Sequence, residues 1–349
     1  MIEYSQSAID SLVVHQIGSK AEGEDVRFSK SAMHASDYDS VMDVLRHYFF
    51  KPFKTEAYYN FSHLDGLAHN FVFQRAGEIF DNPGLFYDKS IELAAYLHHN
   101  SNHPKIKGGE FYVALFSNCV IDGEVCSALG IFKSESKEMF LKVYMRDESF
   151  ELGAQEGINI RKLDKGCLIF NTEREQGFKV CAVDNLNKGQ EARFWMEDFL
   201  NLKPREDKYF FTNNYLQLCK GFVGEVFNDE NNVPRPDQID LMNRSIDFFA
   251  KNPAFDERSF EREVIRQPEV IDAFQDYKSF FESEKQMPLM DSFEISKDAV
   301  KEEKKYFKSI LKLDKNFHVY VHGKRQYLEK GFDAERGLNF YKLFYEVEH

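Results

Sequence analysis

Basic side chains are concentrated in one short segment of an otherwise acidic chain. Between Lys301 and Lys330, nine lysine and arginine residues stand against four acidic residues, which gives this segment a net charge of +5. The 349-residue chain carries a formal net charge of −13, so the remaining residues together carry −18. An evenly acidic surface repels a polyanion, whereas a local excess of lysine and arginine binds phosphate oxygens. Any contact with nucleic acid therefore depends on this segment.

Residues 296–312 (SKDAVKEEKKYFKSILK) have the pattern of an amphipathic helix with Ser296 as its N-cap. Four lysines recur at helical spacing on one face of this helix, and two more basic residues follow at a predicted hairpin tip. The predicted nucleic-acid-binding surface comprises Lys301, Lys305, Lys308, Lys312, Lys324 and Arg325. Because lysine contacts phosphate rather than base edges, binding would be largely independent of sequence. The alternative is that these lysines are only the solvated face of the helix.

The chain lacks the common catalytic and phosphate-binding motifs G-x-x-x-x-G-K-[ST], G-x-G-x-x-G after a strand, H-E-x-x-H and G-x-S-x-G. The three histidines of LHHNSNH (97–103) have no carboxylate or cysteine at ligand spacing, which disfavours a metal site. A nuclease hypothesis rests on Asp122, Glu135 and Lys137, since paired carboxylates beside a lysine can hold Mg²⁺. The E-x-K follows the predicted strand SALGIFK instead of lying in it. We therefore predict a protein that is not an enzyme, with no catalytic residue, metal ligand or cofactor.

Cysteine usage and hydropathy favour a cytoplasmic protein. The five cysteines are odd in number and show no C-x-x-C spacing, and four of them fall in apolar strand-like runs, which predicts buried thiols. No apolar run approaches the roughly 18 to 20 residues of a membrane span, and the N-terminus lacks the pattern of a signal peptide. We expect no membrane association.

Antiparallel strands and amphipathic helices alternate through residues 1–227. The run FYVALFSNCVIDGEVCSALGIFK predicts a hairpin that turns at Asp122-Gly123, because both residues suit positive φ angles. The run GCLIFNTEREQGFKVCAVDN predicts a second hairpin that turns near Gly177. Helices are predicted over 37–50, 89–101 and 190–202, the last with Trp195 on its apolar face. This domain is predicted to be an α+β fold, in which helices pack on an antiparallel sheet.

Two further regions follow along the chain. Residues 228–290 are acidic and rich in proline, and they predict a connector of three short helices. Residues 291–349 predict a helix followed by a three-stranded meander, because FHVYV, QYLEKGF and LNFYKLFYEV alternate with a period of two.

Several of these blocks, in this order, are similar to a known family. The blocks are SLVVHQIG, FYVALFSNCVIDGEVCSALGIFK, GINIRKLDKGCLIFN with FKVCAVDN, EARFWMEDFLNL and LDKNFHVYVHGKRQYLEKGFDAERGLNFYKLFYEVE. With them the chain resembles the bacterial nucleoid-associated protein family, the NdpA/YejK-like group, over nearly its whole length. The resemblance implies a cytoplasmic protein found with the nucleoid, with no established catalysis and no short catalytic motif to carry over.

The function predicted from both lines of reasoning is weak, sequence-independent association with nucleoid DNA. One alternative is a protein-interaction scaffold that a partner recruits to the nucleoid, and a second is the metal-dependent nuclease. A homodimer is also expected, because the C-terminal run LNFYKLFYEV would expose tyrosine and phenylalanine at a sheet edge unless it is covered.

Overall fold

A computed structural model of the protein describes residues 2–33, 39–54, 56–186, 193–307, 310–321 and 325–347. The chain forms two compact units, Met1–Arg205 and Glu206–His349. Both combine helices with antiparallel strands, so the predicted α+β class is confirmed. Residues 206–227, which the sequence analysis assigned to the N-terminal domain, belong to the second unit, because their helix packs within that unit's core.

The first unit is built on one antiparallel sheet. Its strands are β1 (Ile2–Glu3), β2 (Ala8–Ile17), β3 (Tyr59–Phe61), β4 (Gly109–Ile121), β5 (Glu124–Ser134), β8 (Lys165–Phe170), β9 (Lys179–Asp184) and β10 (Leu202–Pro204). Their order is β1-β4-β5-β8-β9-β3-β10, and β2 also pairs with β4. The intervening hairpin, β6 (Lys137–Arg146) and β7 (Ser149–Ile158), forms a two-stranded sheet of its own.

Both hairpins predicted in this unit are confirmed. Asp122 and Gly123 have φ angles of 51° and 85°, as a two-residue turn between β4 and β5 requires. The turn between β8 and β9 contains Gly177 at φ 96°, where a Cβ would lie 2.4 Å from the carbonyl oxygen of Phe61. Glycine is therefore required there both by backbone conformation and by close approach.

Helices cover the sheet of the first unit. They are α1 (Asp39–Phe50), α2 (Phe71–Asp81) and α3 (Phe86–Asn100), with a π-helical segment at Phe194–Phe199. Trp195 is fully buried, as predicted, although residues 190–192 of the predicted helix lie outside the described residues. In α1, Tyr48, Phe49 and Phe50 are buried, whereas Val41 and Val44 are exposed.

Strands β6 and β7, which we call the arm, were not predicted. Among the described strands they pair only with each other, over ten residue pairs from Lys137↔Ile158 to Arg146↔Ser149. Their turn is Asp147-Glu148, with φ angles of 45° and 63°. Asp147 tolerates a positive φ, but Glu148 stands where a hairpin turn usually has glycine, so the turn carries only a weak sequence signal.

The second unit has a helical core. Its helices are α4 (Lys208–Glu225), α5 (Arg235–Lys251), α6 (Glu257–Phe260), α7 (Pro268–Lys285) and α8 (Lys297–Lys304), and a π-helical segment Glu261–Ile265 continues α6. Short strands β11 (Ala254–Asp256) and β12 (Ser292–Glu294) pair antiparallel. Buried aromatic residues such as Tyr215, Phe249 and Phe255 fill the space between these elements.

The C-terminal region differs from the prediction in two ways. Helix α8 ends at Lys304, eight residues before the predicted end, and Ile310–Leu313 is a strand, β13, that pairs with β14 (Phe317–Tyr320). Strands β15 (Leu328–Asp333) and β16 (Leu338–Leu343) form a separate hairpin, so two hairpins replace the three-stranded meander. Pairing with β14 overrides the local helical pattern because Leu311 is buried with Ile239 and Val321 in a small apolar cluster.

Candidate nucleic-acid interface

The structure separates the lysines that were predicted to share one helical face. Lys301 lies in the last turn of α8, Lys305 caps its C-terminus, and both are exposed. Lys312 lies instead in β13, opposite His318. Lys308, Lys324 and the side chain of Arg325 lie outside the described residues. The predicted placement of four lysines on one helical face is therefore wrong, because the helix ends before Lys312.

A shorter row of lysines lies on α8. The sequence analysis did not include its first residue, Lys297. Lys297, at the start of α8, precedes Lys301 and Lys305 by four and eight residues, so the three share one side of the helix. The Nζ of Lys297 donates to the carbonyl oxygens of Ala250 (3.0 Å) and Asn252 (2.8 Å). The row thus begins at the C-terminal end of α5, where a cation also stabilises the helix dipole.

A cleft with a volume of about 870 Å³ lies beside this point. Its basic lining residues are Arg244, Lys251, Arg262 and Arg266, and its acidic ones are Asp240, Asp247 and Glu263. Asn252, whose carbonyl oxygen binds Lys297, also lines the cleft. The lysine row of α8 and the arginine-lined cleft are therefore adjacent. The sequence analysis treated this region only as an acidic connector, and the i, i+4 spacing of Arg262 and Arg266 was the available signal.

Arg244 is the most constrained basic group in the cleft. Its Nε donates to Asp240 at 2.8 Å, but its Nη1 is buried and has no hydrogen-bond partner within the part of the chain that the structure describes. Burial lowers the pKa of the Arg244 guanidinium, and the positive charge of Arg266 lowers it further. A buried N–H without an acceptor is costly, and an oxyanion in the cleft would supply the missing acceptor.

Two residues that flank the predicted basic loop, Val321 and Tyr327, lie at the same cleft. Asn243, in the cleft wall, donates from Nδ2 to the carbonyl oxygen of Val321 at 3.3 Å. Tyr327, which also lines the cleft, lies at the other end of the segment that contains Lys324 and Arg325. Both ends of this segment are thus fixed at the cleft, although 322–324 lie outside the described residues.

Acidic neighbours reduce the positive charge of this surface. Lys251 pairs with Asp247 at 2.8 Å, Arg262 with Glu263 at 3.1 Å, and Lys305 with Glu302 at 3.8 Å. Exposed ion pairs of this kind are weak and are readily exchanged for phosphate contacts. Such partial neutralisation is consistent with weak binding of a polyanion.

The three residues of the nuclease hypothesis do not form one site, because Asp122 lies apart from Glu135 and Lys137, which line one cleft. Asp122 and Glu135 lie at opposite ends of the eleven-residue strand β5. Asp122 pairs with Lys179 at 2.9 Å, whereas Lys137 pairs with Glu110 at 2.9 Å. Across the described ranges, no group of three or more His, Cys, Asp or Glu side chains is placed to hold a metal ion.

Glu135 belongs to a buried ionic network instead. Its Oε1 lies 3.0 Å from the Nζ of Lys133 and 3.1 Å from the Nζ of Lys165, and both lysine side chains are fully buried. Burial lowers the pKa of Lys133. The Glu135 backbone N–H donates to Asp164 at 2.7 Å. A buried cation needs a carboxylate partner, so the arrangement explains Glu135 without catalysis.

Comparison with known protein families adds one finding. The family model of the nucleoid-associated protein YejK matches residues 13–336. The chain belongs to this family. Membership of this family associates the protein with the nucleoid. A search of curated proteins finds no match. No helix in the described part of the chain is long and apolar enough to cross a membrane.

Proposed function

We propose that this cytoplasmic protein associates directly and weakly with nucleoid DNA, without sequence preference and without catalysis, through the basic surface of its second unit. Membership of the nucleoid-associated family supports the general role. The proposed DNA-facing groups are the predicted Lys301, Lys305, Lys308, Lys312, Lys324 and Arg325, together with Lys297, Arg244, Arg262 and Arg266 of the row and cleft.

One observation carries the proposal. Among the described residues the buried Nη1 of Arg244 has no acceptor, in a cleft that Arg266 makes more positive. The α8 lysine row begins at the wall of that cleft, and Asn243 in the same wall binds Val321, the residue that precedes the predicted basic loop. A DNA phosphate would supply the acceptor, and neighbouring phosphates would contact the exposed lysines. Contacts of this kind fix position on the backbone and do not read bases.

Fluorescence anisotropy with a labelled duplex tests this surface. Arg262→Gln with Arg266→Gln, and Lys301→Gln with Lys305→Gln, each remove two exposed charges, so folding should change by no more than about 0.5 kcal/mol per site. Each pair should weaken binding by at least about tenfold at low salt and make the log-log salt slope shallower by about 2.

A matched control removes two exposed charges from the first unit. Arg161→Gln with Lys162→Gln changes the net charge by the same amount, so it reports any effect of net charge alone. The control should bind DNA as the wild type does. Equal losses in all three variants would show that net charge, and not this surface, governs binding.

The exposed apolar residues of the arm favour a second candidate, a scaffold that reaches the nucleoid through a protein partner. A scaffold predicts that the purified protein does not shift the anisotropy of labelled DNA at any salt concentration. We also propose that the protein is a homodimer. The C-terminal strand on which that expectation rested does expose Leu343, Phe344 and Tyr345.

A further inference from the structure

The two faces of the arm differ in composition. Successive side chains in a strand point to opposite faces, and residues directly opposite each other share a face. The register, with Val143 opposite Leu152 and Met145 opposite Phe150, therefore assigns each side chain of the arm to one of its two faces. One face, which we call the apolar face, carries Met139, Leu141, Val143, Met145, Phe150, Leu152 and Ala154.

The opposite face is polar and is partly covered by its own aromatic residues. A Cβ placed on Gly157 would lie 3.3 Å from the Phe140 ring, and one on Gly153 would lie 3.3 Å from the Tyr144 ring. Aromatic side chains that cover cross-strand glycines stabilise the pairing of strands. The same face carries Lys142 and other charged residues, so it is suited to water.

No described residue of the chain covers the apolar face in this way. Leu141 is 78% exposed, Phe150 74%, Met139 72% and Leu152 71%, and Val143 and Met145 are exposed by more than half. At roughly 130 Å² for each of these six side chains, the face presents about 800 Å², more than the largest patch on a typical monomer. An isolated two-stranded hairpin is marginal in water, so the arm needs a covering surface.

The distribution of charge on the apolar face limits the kinds of surface that can pack against it. Its charged side chains, Lys137 and Glu156, lie at the base of the arm, and Lys137 pairs with Glu110 of the first-unit sheet at 2.9 Å. The outer part of the face is uncharged, so it has no group that recognises a phosphate backbone or a charged peptide. About 800 Å² per partner is the area that a standard-size protein interface buries.

We infer that the apolar face of the arm packs against the same face of a second copy of this chain, across a two-fold axis. A second copy supplies an equally uncharged face of equal area, and two-fold symmetry lets one patch serve as both halves of the interface. This inference rests on the homodimer proposed above and assigns it to the arm instead of the C-terminal strand.

Light scattering on the full-length protein, without DNA, measures the association. The wild type should have twice the 40.9 kDa chain mass at micromolar concentration. Leu141→Lys with Leu152→Lys places charges in the centre of the interface and should raise the dimer dissociation constant by at least about 100-fold. Lys142→Ala with Glu151→Ala, on the opposite face, should stay dimeric. The melting temperature of each variant's monomer reports its folding.

Cross-linking tests the packing without disturbing the interface. In a Cys126→Ser background, which removes the half-buried cysteine, Val143→Cys lies at the centre of the apolar face and should form an intermolecular disulfide on mild oxidation. Lys142→Cys, one residue away on the opposite face, should not form this disulfide.

Three results would overturn the inference: a monomeric wild type, a dimer that survives the double lysine substitution, or equal cross-linking at 142 and 143. None of them depends on DNA. Failure of the proposed DNA association would appear only in the anisotropy measurements, so the two proposals fail separately.

Discussion

At the scale of single residues, burial and hydrogen bonding decide the state of several ionisable groups. His15 is buried in β2, its Nε2 lies 3.0 Å from the Ser90 hydroxyl, and its Nδ1 accepts from the Ser29 N–H at 3.2 Å. Burial lowers the pKa of His15 from 6.5 to about 4. The folded protein therefore holds a neutral imidazole under conditions in which the unfolded chain binds a proton.

His15 should make stability depend on pH between 6.5 and 4. Because its pKa is lower in the folded protein, its contribution is fully present above pH 6.5 and is lost as the pH falls toward 4, by up to about 3 kcal/mol. His15→Gln should flatten the pH dependence of urea unfolding in this window. The exposed His99→Gln serves as the control and should leave the dependence unchanged. Identical pH profiles for wild type and His15→Gln would contradict this assignment.

Glu135 gives a second prediction at this scale. Glu135→Gln removes the carboxylate that neutralises Lys133 and Lys165, which should lower the free energy of unfolding by about 3 kcal/mol. Because the residue has no proposed catalytic role, DNA incubated with Mg²⁺ or Mn²⁺ should remain intact with the wild type and the variant alike. Metal-dependent cleavage by the wild type that this substitution abolishes would restore the nuclease hypothesis.

At the scale of elements, turn chemistry was the most reliable signal and helix length the least. The turn at Asp122-Gly123 depends on its own backbone angles, whereas the end of α8 depends on a strand formed by residues farther along the chain. The arm shows the same limit, since Glu148 in its turn adopts a positive φ angle that glutamate does not favour.

Two glycine substitutions isolate the effect of backbone conformation, because an added Cβ is not crowded at either position. Gly123 has φ 85°, and no described residue lies within 4 Å of an added Cβ, so Gly123→Ala should cost about 1 kcal/mol through backbone strain alone. Gly224 lies in α4 with equally open space and without a positive φ, so Gly224→Ala should stabilise by about 0.5 to 1 kcal/mol. Calorimetry of both variants would show shifts of opposite sign. A neutral Gly123→Ala would mean that the turn tolerates a side chain.

At the scale of the whole molecule, the proposed DNA association requires a local basic surface, because both the protein and the DNA are acidic. The net charge of −13 opposes the approach of DNA, and neighbouring carboxylates partly neutralise the row and the cleft. Binding should therefore be weak and strongly dependent on salt concentration.

The wild-type salt dependence gives the number of phosphates contacted. If roughly three to five phosphates are neutralised, the log-log salt slope on duplex DNA should be about −3 to −4.5, with micromolar affinity. Two duplexes of unrelated sequence should bind alike, because no base-reading contact is proposed. A slope near zero, or a strong preference for one duplex, would contradict backbone binding.

The sequence by itself determined the α+β class, the two hairpins and their turns, and the family. Each of these depends on residues close together in the chain, such as Asp122-Gly123, or on patterns spread over many residues. It also located the basic segment near the C-terminus.

Only the tertiary structure decided how the basic residues are arranged. Lys312 lies in strand β13 and not in the predicted helix, because β13 is stabilised by pairing with β14 and by burial of Leu311. Local helix propensity does not include either contribution. Packing of α5 against neighbouring elements brings Arg244 close to Arg266 in the cleft. It also brings Lys297 within hydrogen-bond distance of the Asn252 carbonyl oxygen. Such contacts depend on side chains that are distant in sequence, so their energies appear only when the core has formed.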